Sequence, residues 1–96
     1  MDIMFEQKDK RRLYWLLDQL LDKQMDASTF CDEFYYCYDL ELEDELTVRE
    51  EEKFKELSAI ASRFSGFKED LTKFPGVYFT EEQLREKVRE VKQSLS

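Results

Sequence analysis

The first apolar stripe in the chain is Leu13, Leu16, Leu17, Leu20 and Leu21, spaced i, i+3, i+4, i+7 and i+8 along one face of an α-helix. With its polar flanks, it predicts a helix from Phe5 to about Lys23. Asp26 then reads as an N-cap, bracketed by Met25 and Phe30 as a hydrophobic staple. A second helix is expected from Ala27 to about Leu40. It turns Phe30, Phe34, Cys37 and Tyr38 inward and Asp32, Tyr35, Tyr36 and Asp39 outward. Thr47 and Glu50 make a T-x-x-E capping box, which starts a third helix carrying Phe54, Leu57, Ile60, Ala61 and Phe64 inward, with Gly66 as its stop. Pro75-Gly76 suits the centre of a type II turn. Thr80 and Gln83 repeat the capping box and Phe79 with Leu84 the staple, so a last helix presents Leu84, Val88, Val91 and Leu95 at the alternating spacing of a coiled-coil seam.

Four stripes of this width in 96 residues bury one another most economically as an all-α, antiparallel four-helix bundle, a single domain over residues 1–96. Gly at 2 and Pro at 1 are too few for a hairpin-rich fold, and 42% hydrophobic residues are too many for a disordered chain. No window approaches the run of about 18 apolar residues that a membrane span needs. The N-terminus places its charges after its apolar residues, unlike a secretory signal, so a cytoplasmic protein without a membrane partner is expected. Cys31 and Cys37 are six positions apart on one helix and point about 120° away from each other, which disfavours a disulfide.

Charge sharpens this picture by its placement. The net charge is −8, yet the segment from Asp32 to Glu52 holds ten acids against Arg49 alone, a local −9 that leaves the rest of the chain at +1. Within it lies YYCYDLELEDE, Tyr35 to Glu45, three tyrosines among carboxylates. A concentrated negative field disfavours nucleic acid as a direct ligand and favours a basic protein. Charge runs also occur as solvated helix faces, and from pattern alone that reading stands beside the first. Outward Tyr35 and Tyr36 favour recognition, because exposed amphipathic rings are enriched at interfaces. Trp15 falls opposite the leucine stripe, where it either packs on a neighbouring loop or anchors a partner.

Catalysis finds no footing in these residues. With no histidine, the usual general base and the commonest zinc ligand are missing, and two divergent cysteines do not make a metal site. DLELEDELTVREE lacks the glycine and the alternating oxygen ligands of a calcium loop. No cofactor, metal or catalytic residue is assigned.

Three stretches carry a resemblance. MDASTFCDEF at 25–34, EKFKELSAIASRF at 52–64 and YFTEEQLREKVREVKQSL at 78–95 resemble the bacterial colicin D-type immunity proteins, with the likeness spanning Leu13 to Leu95. That resemblance implies a four-helix bundle in the cytoplasm of a toxin producer, binding the nuclease domain of its cognate toxin. In the colicin D case the toxin cleaves tRNA and the inhibitor presents carboxylates in place of substrate phosphates. The resemblance leaves the toxin open between a colicin, a contact-dependent inhibition toxin tip and another secreted nuclease. On this reading the toxin-binding set is Asp32, Tyr35, Tyr36, Asp39, Glu41, Glu43, Asp44 and Glu45. The alternatives are a helical adaptor with a merely solvated acidic face, or a DNA mimic directed at another basic protein. Because neither a base–nucleophile pair nor a metal cluster is present, the isolated protein should show no nuclease or hydrolase turnover, with or without divalent metal, in an assay of the purified chain.

Overall fold

The leucine and phenylalanine stripes do gather into one core. In a computed structural model, which describes residues 6, 8–65, 68–73 and 76–95, the chain is all-helical, and no strand is present among the described residues. The helices are α1 (Arg11–Leu21), α2 (Ala27–Tyr35), α3 (Val48–Ala61), a short α4 (Lys68–Lys73) and α5 (Glu81–Leu95), with a π-helical segment, Tyr36–Glu41, continuing α2. Packing runs in a closed ring: α1 against α2, α2 against α3, α3 against α5 and α5 against α1. Such a ring of four long helices is compatible with a four-helix bundle, and α4 is a fifth helix that no stripe announced. Leu13, Leu16, Leu17 and Leu20 meet Phe30, Phe34, Phe54, Leu57, Leu84, Val88 and Val91, all essentially without solvent contact. Each such side chain contributes about 1.5–3 kcal/mol by leaving water. Phe34 is the hub, with ring centroids 5.7 Å from Phe30, 5.5 Å from Tyr38 and 6.2 Å from Phe54.

Local chemistry sets the helix ends. The Asp26 carboxylate accepts the Thr29 amide at 2.7 Å, and the Thr80–Gln83 box is reciprocal at 2.9 and 3.1 Å. Helix α1 begins at Arg11, six residues later than Phe5, which itself lies outside the described residues. Asp9 is the reason: its carboxylate accepts the Arg11 amide at 2.9 Å and its carbonyl accepts the Arg12 amide at 3.0 Å, so the chain turns there. At the other end Lys23 takes a left-handed φ of 60°, and the Gln24 amide reaches back to the Gln19 carbonyl at 2.9 Å, a closure that glycine usually serves. Helix α3 ends at Ala61; Gly66 and Pro75, the expected stop and turn residues, lie outside the described residues, while Gly76 shows the φ of 83° that the second central position of a type II turn requires. Phe64 and Phe79 pair as an isolated bridge, which ties the exit of α3 to the entry of α5.

The tail of α2 departs from the expected α-helix. The Leu42 amide bonds the Cys37 carbonyl, five residues back, at 2.8 Å. An α-helical continuation would place Glu41 beneath buried Cys37, four residues on. The wider π turn exposes Glu41 and instead sets Leu42 against the core.

Glu50 ties the N-terminal segment, α1 and α3 together. Its two oxygens accept the Tyr14 hydroxyl at 2.6 Å, the Thr47 amide at 2.9 Å and the Lys10 ammonium at 3.2 Å, with the side chain largely buried. Burial alone would raise this carboxyl; Tyr14, Thr47 and Lys10 together outweigh it and hold it at about 2, against an ordinary 4.5. A lowered carboxyl stabilises the fold above its unfolded value, and that contribution is lost as pH falls from about 4.5 through about 2. Glu50→Gln should therefore cost about 1–3 kcal/mol at neutral pH and flatten the acid limb of the stability curve, measured by urea melts across pH 2–6. Lys23→Gly should raise stability by about 1 kcal/mol, since it removes a left-handed side chain; differential scanning calorimetry measures it.

Candidate functional site: an acidic and aromatic surface

The residues expected at the surface are at the surface. Asp32 and Tyr35 lie on α2, Tyr36, Asp39 and Glu41 on the π segment, and Glu43, Asp44 and Glu45 in the connection to α3; all eight are exposed. The connection is held in place from outside. The Glu43 and Asp44 amides both donate to the Lys8 carbonyl, at 3.1 and 3.3 Å, and the Asp44 carboxylate accepts the Lys10 amide at 2.9 Å. Lys10 also reaches the Glu45 carbonyl at 3.5 Å on its way to Glu50. An acid-rich loop that would otherwise repel itself is thus fixed by the backbone of a basic segment.

The fold divides the acids of the 32–52 segment by role. Glu33 accepts Arg12 at 2.6 Å, Glu50 accepts Tyr14 and Lys10, and Glu51 accepts the Tyr38 hydroxyl at 2.9 Å. Arg12 and Lys10 come from outside the segment, so the field it projects is weaker than its sequence charge of −9. Asp32, Asp39, Glu41 and Glu43 make no ion pair among the described residues. The tyrosines divide the same way. Tyr14 and Tyr38 give their hydroxyls to α3 carboxylates, and burial together with those carboxylates pushes both hydroxyls above the ordinary range. Tyr35 and Tyr36 are 51% and 49% exposed, stand edge to face with centroids 6.0 Å apart, and have no hydroxyl partner among the described residues. Of these four tyrosines, two are structural and two remain available.

Beside this pair, α2 and the C-terminal half of α3 leave a groove of about 610 Å³, with Asp32, Tyr35 and Tyr36 on one wall and Ser58, Ala61 and Ser62 on the other. Cys31 opens onto it as a free thiol; burial first, then the charge of Asp32, pushes it up to about 12. Burial likewise holds the Cys37 thiol at about 11, so neither thiol ionises near neutrality.

Some of the residues that shape this surface were not legible in the stripes. Arg12 is only 2% exposed, pairs with Glu33 and lies 5.3 Å from the centroid of the Trp15 ring. Trp15 is therefore partly buried against the core rather than opposite it. Arg12 does continue the row of Leu16 and Leu20 at intervals of four, a signal that its charge masked. Likewise, the capping box itself marked Glu50 as a carboxylate turned back into its helix. Lys10 and Tyr14 carried no comparable signal.

No cluster of three or more metal-ligating side chains occurs among the described residues, and no helix among them is long and apolar enough to cross a membrane. Comparisons with curated proteins and with solved structures find no match. A family model described as bacterial self-protective colicin-like immunity matches residues 12–95, from buried Arg12 to the end of α5. With that match extending over nearly the whole helical chain, the protein belongs to the bacterial self-protective colicin-like immunity family.

Proposed function

We propose that the protein neutralises a basic nuclease toxin, a tRNase, by laying its acidic and aromatic surface across the toxin's active cleft. Membership of a colicin-like immunity family implies an inhibitor of a bacterial toxin rather than an enzyme; the nuclease target and the mode of binding are our reading. The observation that carries it is the division of labour around α2. The fold spends Glu33, Glu50, Glu51, Tyr14 and Tyr38 on internal contacts, yet leaves Asp32, Asp39, Glu41, Glu43, Tyr35 and Tyr36 exposed and uncommitted along one stretch of chain. Carboxylates there would pair with the lysines and arginines that hold RNA phosphates, and the tyrosine rings would cover surface that bases otherwise fill. The antiparallel arrangement of the four long helices and action in the producer's cytoplasm, on a colicin or a contact-dependent inhibition toxin, belong to the same reading.

Opposite fields steer such partners together, with association reaching about 10⁸ M⁻¹s⁻¹ at low salt. Changing Asp39, Glu41, Glu43 and Asp44 together to Asn or Gln leaves every core stripe intact. The variant should fold, associate with the cognate toxin more slowly and with little salt dependence, and protect toxin-expressing cells poorly. Any of the four that is fully desolvated against a toxin cation should add about 2–5 kcal/mol through faster dissociation. The matched control is Glu81, Glu82 and Glu86 to Gln on α5. Glu81 already pairs with Arg85 at 3.0 Å and Glu86 with Arg89 at 2.7 Å, so their charge is largely offset and its loss should matter little. Stopped-flow association at several salt concentrations separates the two; equal behaviour of both variants would leave the acidic segment as a solvated face.

A further inference from the structure

The groove between α2 and α3 has features that an acidic surface alone does not require. One wall carries two tyrosine rings and a carboxylate, the opposite wall carries Ser58, Ala61 and Ser62, and Ser28, Phe34 and Phe64 lie among the lining residues as well. Asp32 is the one charged side chain among the described residues lining it, and it has no ion pair there. Cys31 stays neutral beside it. At about 610 Å³ the groove falls within the range of pockets that accept a discrete group, about 300–1,000 Å³.

The occupant follows from charge and shape. An acidic side chain would be repelled by Asp32, and an apolar one would bury that carboxylate without a partner. Ammonium would satisfy the charge but is compact and strongly hydrated, and it gains less from two flat rings. A guanidinium is planar, less hydrated, stacks on aromatic faces and donates to carboxylate and hydroxyl oxygens together. The chain's own Arg12, whose guanidinium lies 5.3 Å from the Trp15 ring centroid and pairs with Glu33, shows the same chemistry used internally.

We propose that this groove receives an arginine side chain of the toxin, stacked against Tyr35 and Tyr36 and paired with Asp32, so that the toxin inserts into the inhibitor as well as the reverse. The proposal rests on the toxin-inhibitor reading above and adds Ser28, Cys31, Ser58 and Ser62, which that reading does not use. A pocketed, desolvated arginine is the kind of contact that dominates an interface, whereas the acidic connection acts mainly at long range.

Filling the groove without changing charge tests it. Ser58→Trp, and independently Ser62→Trp from the exposed end of α3, should each weaken binding to the cognate toxin domain by roughly 30-fold or more, chiefly through faster dissociation, with the salt dependence of association retained. Asp32→Asn, an exposed and isosteric change, should do the same without filling the groove. Circular dichroism melts confirm folding, and Asp32→Asn carries the test should either tryptophan variant unfold. In a double-mutant cycle, one toxin arginine changed to alanine should cost binding to the unaltered protein and little more to Asp32→Asn. Normal binding by the folded groove variants beside weak binding by the Asp39/Glu41/Glu43/Asp44 variant overturns the groove and leaves the acidic surface standing. Weak groove variants beside a normal acidic variant uphold the groove and overturn the acidic surface. Normal binding by both removes both, and absence of any toxin arginine coupled to Asp32 overturns the guanidinium.

Discussion

The buried carboxylate of Glu50 is the contact on which the arrangement of the acidic segment depends. It closes the N-terminal turn of α3 on itself through Thr47, anchors that turn to α1 through the Tyr14 hydroxyl, and draws in Lys10 from the segment before α1. A charge so placed is strongly destabilising unless its lone pairs are filled, and here both oxygens are in use. Its position fixes the entry of α3, and hence where the connection from the π segment must end. Because Lys10 also bonds Asp44 and Glu45, and the Lys8 carbonyl takes the Glu43 and Asp44 amides, one buried acid and its cation organise the exposed acids in front of them.

On the proposed function, a surface that meets a basic partner faces a physical conflict. Its carboxylates must stay unpaired to be useful, yet unpaired carboxylates crowded on a 96-residue chain repel one another and weaken its fold. The structure resolves this by sorting. Glu33, Glu50 and Glu51 are satisfied by Arg12, Lys10, Tyr14 and Tyr38, while the acids among the eight candidate residues are spaced along a helix tail and a loop held by backbone bonds. On α5, by contrast, Glu81, Glu86 and Glu90 pair with Arg85, Arg89 and Lys87 one turn away, at 3.0, 2.7 and 2.5 Å. Two surfaces of similar composition therefore present different fields. A field confined to one side can orient a partner, which a uniformly acidic surface would not do.

The π segment shows how packing decides the surface. Moving from i+4 to i+5 bonding at Cys37 sets Leu42 rather than Glu41 against the core, with Tyr35 and Tyr36 outward beside the groove and Asp39 exposed. The saving is the avoided burial of a carboxylate, which outweighs the less regular hydrogen bonding of one wide turn.

By itself, the sequence determined the all-helical class, the inward stripes of α1, α2, α3 and α5, three of the caps, and the exposure of the eight candidate residues, because these follow from periodicity and from side-chain to backbone bonds a few residues apart. Asp26, Thr47 and Thr80 cap as their spacing requires. Only the tertiary structure decided which acids are free. Whether Glu33 or Glu51 is paired depends on Arg12 and Tyr38 lying at 2.6 and 2.9 Å, from residues 21 and 13 positions away, and no local pattern encodes such distances. The late start of α1, the buried Arg12 beside Trp15, the π turn and the groove at Ser58 and Ser62 belong to the same class. Each arises where two elements compete for one volume or share one charge, and that competition exists only once the helices have met.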